Sequence, residues 1–368
     1  MKKILALILC LCMMATLVAC GGEQTADPSV PQGSEQTPET EGQTAQTEAE
    51  YKLGMGVVVS MDSSKTGNAQ VDATVATVVV DKDNKIVSCR IDVAQNKMNV
   101  TDGAVETEKE FKTKMELGDD YNMAKYGQPN VEGGTVKEWY VQAKAFEEYV
   151  VGKTADEVKA IELKEVNGHQ IAVDEALLSA GCTMQITDFI EAIAKACNDE
   201  QGVSFKTAET FTLGVAANST VDAATKAAND EGDGTVAMYT DFACAVFVDG
   251  KVIATLNDAI QPKITINKAG EIVETAFVGT KRELKEAYNM AKYGQPNVEG
   301  GTVKEWYVQS AAFSAHVVGM TADEIKGMET KEVNAHLIST DEALLSAGCT
   351  MQITGICDVV AKAATNAR

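Results

Sequence analysis

The sequence predicts an α+β fold in which helices pack on an antiparallel sheet, and it predicts two tandem copies of that fold. Two observations lead to this prediction. Long segments of the chain occur twice, and in each copy the segments with strand character precede those with helical character. Strands that come first and helices that follow are typical of α+β domains, because each layer buries its apolar face against the other.

An internal repeat organises the chain. The segment YNMAKYGQPNVEGGTVKEWYVQ at Tyr121–Gln142 recurs unchanged at Tyr288–Gln309. The segment DEALLSAGCTMQIT at Asp174–Thr187 recurs at Asp341–Thr354, and both pairs are offset by 167 residues. Self-similarity at a fixed offset indicates that one structural unit has been duplicated.

We place the first copy at 51–200 and the second at 206–368. Segments rich in β-branched residues and bounded by turn residues predict strands in the first copy: Gly56–Met61, Ala73–Val80 and Lys85–Val93. In the second copy, Asp249-Gly250 lies between two apolar runs. This dipeptide predicts a β-hairpin, because Asp-Gly adopts the tight turn that connects antiparallel strands.

Helices are predicted in the second part of each copy. Thr135 and Glu138 have the spacing of a capping box. Apolar side chains then follow on one helical face: Val136, Trp139, Tyr140, Phe146, Tyr149 and Val150. Thr154 and Glu157 predict a second capped helix, and an apolar stripe predicts a last helix over Thr187–Cys197.

The N-terminus has the layout of an export signal. Two lysines precede an apolar run over 4–18, which is shorter than the stretch of about 20 residues that a membrane span needs. The segment Leu17-Val18-Ala19-Cys20 resembles the lipobox of bacterial lipoproteins. That resemblance implies removal of residues 1–19, lipidation of Cys20, and anchorage to the cell membrane on its extracytoplasmic face.

Residues 20–50 are predicted to be a disordered tether. They are rich in Gln, Thr, Glu, Gly, Pro and Ser, contain no aromatic residue, and carry negative but no positive side chains. Such a segment cannot bury enough apolar surface to offset its chain entropy.

Charge excludes nucleic acid as a partner. The chain has a formal net charge of −22, whereas phosphate backbones are bound through Lys and Arg.

Six cysteines follow the lipidation site: Cys89, Cys182, Cys197, Cys244, Cys349 and Cys357. An even number outside the cell permits disulfides, and the sequence leaves their pairing open. Only Cys182 and Cys349 recur at the same position, so no disulfide within one copy can be common to both. The chain has no Cys-x-x-Cys pair and only three histidines, which gives a zinc site little support, and we predict no metal site.

The segment Ser-Ala-Gly-Cys-Thr, at Ser179–Thr183 and Ser346–Thr350, is the strongest candidate for a binding site. In the first copy it precedes the last helix, for which we expect Thr187 to be the N-cap. The free N–H groups of a helix N-terminus favour a phosphate. Gly181 and Gly348 would let a ligand approach the backbone. A tight turn with no ligand also requires small residues of this kind.

The stretch from the paired strands to the last helix resembles the FMN-binding domain family of membrane redox complexes and Gram-positive redox lipoproteins. The family motif is close to Asp-Ala-x-Ser-Gly-Ala-Thr. Its last three residues align with Gly181-Cys182-Thr183 in the first copy and with Gly348-Cys349-Thr350 in the second. The resemblance implies that Thr183 and Thr350 accept FMN through a phosphodiester bond, which a separate flavin transferase makes. Leu177 and Ala180 stand where the family has Asp and Ser. Two alternatives to covalent attachment therefore remain: FMN that is bound non-covalently, and a domain that carries no flavin.

The family resemblance implies an electron carrier without catalytic turnover of its own. Its partners would be a membrane redox protein that donates electrons and an acceptor of electrons outside the membrane. The alternative is a flavin-free module on the same fold that binds a small ligand, a cell-wall component or a protein. A thiol enzyme is a third hypothesis, because the spacing of His169 and Cys182 recurs at His336 and Cys349.

Further polar residues are candidates for ligand contacts. One set recurs at a predicted strand end: Asp92, Gln95 and Lys97, echoed by Asp258, Gln261 and Lys263. Another set flanks a turn rich in Pro and Gly and would line a pocket: Gln128, Asn130 and Glu138. A connecting loop explains this second set as well.

Overall fold

The computed structural model describes residues 48–368, and its antiparallel sheets with packed helices confirm the predicted α+β class. The elements of the first repeat, with the strand that follows it, are β1 (Ala49–Ser60), β2 (Asn68–Asp81), β3 (Ile86–Thr101), β4 (Ala104–Val105), α1 (Lys114–Leu117), α2 (Met123–Tyr126), α3 (Trp139–Tyr149), α4 (Ala155–Lys159), β5 (Leu163–Val166), β6 (His169–Ala172), α5 (Glu175–Ala180), α6 (Thr187–Cys197) and β7 (Val203–Thr207). Strand β1 thus includes the last two residues of the predicted tether.

The second repeat follows the same order of strands and helices. Its elements are β8 (Thr212–Val221), β9 (Gly234–Val248), β10 (Lys251–Ile260), β11 (Lys263–Ile266), β12 (Ile272–Ala276), α7 (Lys281–Leu284), α8 (Met290–Tyr293), α9 (Trp306–His316), α10 (Ala322–Lys326), β13 (Thr330–Val333), β14 (His336–Ser339), α11 (Glu342–Ala347) and α12 (Thr354–Thr365). The hairpin predicted at Asp249-Gly250 is confirmed, because it joins β9 to β10.

Each repeat contributes one antiparallel sheet and one short hairpin. The first sheet has the order β4-β3-β2-β1-β7, so the strand that follows the first repeat pairs with its first strand. In the second sheet, β9 pairs with β8, β10 and β11, and β12 extends the sheet beyond β11. The hairpins β5-β6 and β13-β14 stand apart from these sheets.

Apolar side chains fill the space between the two sheets. Leu53 and Val75 of the first sheet and Phe242 and Val246 of the second are fully buried in this shared core. Full burial of a side chain of this kind contributes about 1.5–3 kcal/mol. The repeats therefore stabilise each other through one core, and residues 48–368 belong to a single compact unit.

Helices cover the other face of each sheet. In the first repeat, Phe146 of α3 and Ile193 of α6 pack against Val78 and Ile91. Because alternate side chains of a strand point to opposite faces, the continuous burial of residues 73–80 means that β2 is covered on both sides.

The contacts between the repeats are reciprocal. Lys195 Nζ lies 3.1 Å from Glu283 Oε1, and Lys362 Nζ lies 2.8 Å from Glu116 Oε1. Each pair joins the last helix of one repeat to the first short helix of the other, at equivalent positions. Reciprocal contacts of this kind characterise a two-fold symmetric interface, so the two repeats pack with approximate two-fold symmetry.

Two predicted helix starts are wrong. Thr135 and Glu138 do not form a capping box: α3 begins at Trp139, and the Glu138 carboxylate instead accepts hydrogen bonds from the N–H groups of Met123 and Ala124, at 2.8 and 3.2 Å. Thr187 is the first residue of α6 rather than its N-cap, because Ile186 holds that position.

Two other helix predictions are confirmed. Thr154 and Glu157 form a capping box at the start of α4, and the last helix of the first repeat spans Thr187–Cys197 as predicted. A capping box forms here because Thr154 has extended backbone dihedrals, which aim its hydroxyl at the N–H of Glu157.

The export signal, Cys20 and most of the predicted tether lie outside the described residues. Within residues 48–368, no helix is long and apolar enough to span a membrane. The six cysteines of this part of the chain are all free thiols, five of them buried, so its stability depends on packing rather than on disulfides.

Candidate functional site

A cleft of about 640 Å³ opens in the first repeat. Strands β2 and β3 form one side, α1 and the start of α3 form another, and the loop before α6 closes the third. Ligand pockets in proteins typically measure about 300–1,000 Å³. Its lining includes polar residues such as Gln95 and apolar residues such as Val93, so the cleft suits a ligand with both polar and apolar parts.

Thr183 lines this cleft, and its backbone is held on both sides. Its N–H donates to Gln142 Oε1 at 2.9 Å, and its carbonyl accepts from Asn130 Nδ2 at 2.9 Å. Gln142 is fully buried and donates to the carbonyl of Lys137 at 2.8 Å. This network fixes the threonine at the rim of the cleft, with its hydroxyl oxygen 3.4 Å from Gln142 Oε1.

Thr350 has the same local environment in the second repeat. Its N–H donates to Gln309 Oε1 at 2.8 Å, and its carbonyl accepts from Asn297 Nδ2 at 2.9 Å. The identical sequence segments thus produce identical loops, and any difference between the two sites must come from residues outside them.

The glycines of the motif shape a turn. Gly181 and Gly348 end α5 and α11 in the left-handed region, at φ of 100° and 97°. A side chain at Gly181 would also collide with Lys137, whose Nζ donates to the carbonyl of Ala180 at 3.0 Å. Glycine is therefore required for the backbone path, whether or not a ligand binds.

The cysteines of the motif point into the core. Cys182 and Cys349 are 1% and 0% exposed, and burial raises the pKa of each thiol to about 12. Nucleophilic catalysis requires a thiolate. His169 lines the cleft, but buried thiols with such pKa values do not suit the thiol-enzyme hypothesis.

Aromatic and basic side chains form one wall of the cleft. Trp139 packs edge-on against Phe189, with ring centroids 5.9 Å apart. Lys114 Nζ lies 5.1 Å from the ring centroid of Tyr121 and 5.7 Å from that of Trp139. Ammonium groups at these distances are attracted to aromatic faces, so the lysine is held beside both rings.

Three carboxylates also belong to the surface of the cleft. Asp62, Asp72 and Asp188 line the cleft. Burial raises the pKa of Asp188, and its neighbour Glu191 raises it further. The cleft therefore presents three acidic groups and one nearby ammonium, that of Lys114, to whatever enters it.

The other polar candidates are divided between the cleft and the scaffold. Gln95, Gln128 and Asn130 line the cleft, whereas Glu138 caps α2. Asp92 is a scaffold residue: its buried carboxylate accepts from the N–H groups of Val93 and Met115, at 2.7 and 3.1 Å, and burial raises its pKa to about 6. Lys97 is exposed on β3.

In the second repeat, a tyrosine fills the equivalent space. Tyr239 occupies the position of Asp72, and its hydroxyl accepts a hydrogen bond from Lys281 Nζ at 2.9 Å. The same ammonium lies 4.4, 4.9 and 5.4 Å from the ring centroids of Tyr239, Tyr288 and Trp306. The lysine that stands beside an open cleft in the first repeat is therefore enclosed by three rings here.

A matched pair of substitutions accompanies this tyrosine. Asp241 replaces Thr74, and Gly355 replaces Asp188. A side chain at Gly355 would stand 2.6 Å from Asp241 Oδ2, so the aspartate uses space that the glycine leaves free. Burial lowers the pKa of Lys281 to about 8, and the charge of Asp241 opposes that effect. In the second repeat, the positive charge of Lys281 is therefore balanced by the nearby carboxylate of Asp241.

A smaller cavity of about 400 Å³ remains beside these residues, lined in part by Asp222, Gln261, Lys281 and Tyr288. Thr350 is not among the described residues that line it. The two repeats therefore share the threonine loop but differ in the space that the loop faces.

Sequence patterns missed the charged residues of the first cleft. Lys114, Asp72 and Asp188 come from three separated segments and belong to no motif. The available signal was the difference between the repeats, since Asp72 and Asp188 change in the second copy while the threonine loop does not.

No family model, curated protein or solved structure matches the chain.

Proposed function

We propose that the protein is a lipid-anchored extracytoplasmic electron carrier that holds one FMN in the cleft of its first repeat, attached to Thr183. The placement of Thr183 carries the proposal. The residue that the sequence resemblance selects as the flavin acceptor lines a ligand-sized cleft, between a loop of fixed geometry and an aromatic wall.

The residues present fit such a group. Half-buried Tyr121 offers aromatic surface to a flat ring, Trp139 contributes only a small exposed edge, and Lys114 beside them offers a positive charge. Helix α6 begins four residues after Thr183, and no side chain within residues 48–368 caps its first turn. Its N–H groups are therefore available to an anion such as a phosphodiester.

Bound FMN would supply transfer of one or two electrons, and the protein would supply placement and electrostatic tuning. Asp72 and Asp188 oppose additional negative charge in the cleft, so they favour the oxidised ligand. Lys114 favours the reduced one. We expect the balance of these groups to set the reduction potential.

Anchorage at the membrane depends on the N-terminal segment. Lipid on Cys20 and the tether over residues 20–50 would hold the folded unit outside the cell membrane, within about 30 Å of the lipid. That position suits exchange of electrons with membrane redox proteins, and it requires a flavin transferase on the same side.

A flavin-free binding module is the second candidate function. The three carboxylates of the cleft favour it, because they attract a cationic ligand group and oppose a phosphate. The ligand would then be a small molecule with a cationic group, which Tyr121 would contact through its aromatic ring.

Acid precipitation of the full-length protein, purified from its native host, separates these functions. Visible flavin absorbance that stays with the precipitated polypeptide is expected for covalent FMN. Absorbance that moves to the supernatant would indicate non-covalent FMN and would contradict attachment to Thr183. A colourless protein, from a host with an active flavin transferase, would reject the carrier and leave the binding module.

A further inference from the structure

A second cleft, of about 410 Å³, lies on the helical side of the second repeat. His316, Met320 and Met328 line it. Cys357 of α12 adjoins it, with its Sγ atom 4.0 Å from Met328 Sδ. One imidazole nitrogen and three sulfur atoms therefore belong to a single region of the fold.

All four residues are specific to the second repeat. The first repeat has Tyr149, Lys153, Ile161 and Ile190 at the equivalent positions. There the tyrosine hydroxyl donates to Asp174 Oδ2 at 3.0 Å, and Lys153 Nζ lies 4.4 Å from the tyrosine ring centroid. The two copies thus differ by four substitutions that bring a histidine, two methionines and a cysteine to one place.

The histidine provides an independent indication of a ligand. Its Nε2 atom is buried and has no hydrogen-bond partner among the described residues. Asp341 Oδ2 lies 3.6 Å away, which is an ion-pair distance for a protonated imidazole but too far for a hydrogen bond. A buried polar atom without a partner is destabilising, and a bound ion would satisfy it.

We propose that His316, Met320, Met328 and Cys357 bind one soft monovalent cation, with Cu(I) as the expected occupant. Thioether and thiolate sulfurs select Cu(I), and imidazole is compatible with it. Two sulfurs bound to one tetrahedral ion at about 2.3 Å lie about 3.8 Å apart, close to the observed separation of Cys357 and Met328. On binding, the thiol of Cys357 releases its proton to solvent and forms the metal–sulfur bond.

Other ions suit the cluster less well. Nowhere within residues 48–368 do three or more His, Cys, Asp and Glu side chains converge in a metal-binding arrangement. The cluster depends on two methionine sulfurs, which Zn²⁺ and harder ions do not favour as ligands.

The scaffold around the cluster is fixed. The backbone of Met320 is pinned to β10, because its carbonyl accepts from the N–H of Val252 at 2.9 Å. Asp341 beside the histidine is the N-cap of α11 and accepts from the N–H groups of Ala343 and Leu344. Backbone hydrogen bonds therefore hold Met320 and the helix start beside His316 in place.

Competition between the full-length reduced protein and a chromogenic Cu(I) chelator, under anaerobic conditions, tests this site. We expect one tightly bound Cu(I) per chain, with both sulfur and nitrogen neighbours in its X-ray absorption spectrum. The variant H316Y/M320K/M328I/C357I, which copies the first repeat, should lose this ion. M328L alone should weaken binding at least about 10-fold, because losing even an outer-shell partner typically lowers metal affinity about 10–100-fold.

Two controls separate the cluster from general thiol binding. M290L removes a sulfur outside the cluster, and C89T copies the second repeat at another buried thiol. Both should bind Cu(I) as the unmodified protein does. The proposal is overturned if the four-residue variant, with an unchanged circular dichroism spectrum, keeps the tight ion, or if either control loses it. FMN content does not enter this test.

Discussion

Replacing Arg282 with alanine is expected to lower the free energy of unfolding by about 3–5 kcal/mol. The Arg282 guanidinium lies 2.9 and 3.1 Å from the two carboxylate oxygens of Asp199, and the side chains are only 7% and 9% exposed. The substitution leaves a buried carboxylate without its counter-ion. Chemical denaturation followed by circular dichroism measures the loss.

The chain offers matched controls for this prediction. Lys285 and Glu200 also join the two repeats, but their side chains are 41% and 84% exposed, so K285A should cost less than about 1 kcal/mol. In the first repeat, Met115 occupies the position equivalent to Arg282, and in the second repeat Asn366 occupies the position equivalent to Asp199. The double variant R282M/D199N should therefore recover most of the stability. Equal losses for R282A and K285A would contradict the central role of the buried pair.

Replacing Thr183 with alanine is expected to remove all covalent flavin from the protein, whereas Thr350→Ala should leave it in place. The two threonines have the same backbone hydrogen bonds, but only Thr183 lines the open cleft, since Tyr239 and Lys281 fill the space in the second repeat. Peptide mapping of protein from the native host locates the flavin, and Thr183→Ser should retain it because serine keeps the hydroxyl.

The residues that distinguish the second repeat from the open cleft provide a complementary test. The variant Y239D/D241T/G355D copies the first cleft into the second repeat. The aspartate at 355 is tolerated only with D241T, because Asp241 now occupies that space. This variant should acquire a second flavin at Thr350. Flavin on Thr350 in the unmodified protein would show that Tyr239 does not exclude it.

Local sequence patterns predicted the elements whose signals are local. The Asp249-Gly250 hairpin and the Thr154–Glu157 capping box formed as expected, because turn and cap chemistry involves residues a few positions apart. The pattern at Thr135 and Glu138 misled, since Glu138 caps α2, fourteen to fifteen residues earlier in the chain. A capping residue can serve any helix start within reach, and sequence spacing alone does not identify which.

The long-range architecture was not predictable from these patterns. The alternating apolar residues of β1 and β8 indicate one buried face on each strand, but not that this face meets the other repeat. The cluster of His316, Met328 and Cys357 escaped notice for a related reason. Its members lie on separate helices and loops, and the prediction of no metal site considered only histidine and cysteine spacing.

The most direct test of the central claim is the intact mass of the mature, unmodified protein from its native host. One FMN increment above the lipid-modified polypeptide is the predicted result, because one cleft is open at its threonine and the other is filled. A mass equal to that of the lipid-modified polypeptide alone would contradict the covalent carrier, and two increments would contradict the closure of the second cleft by Tyr239.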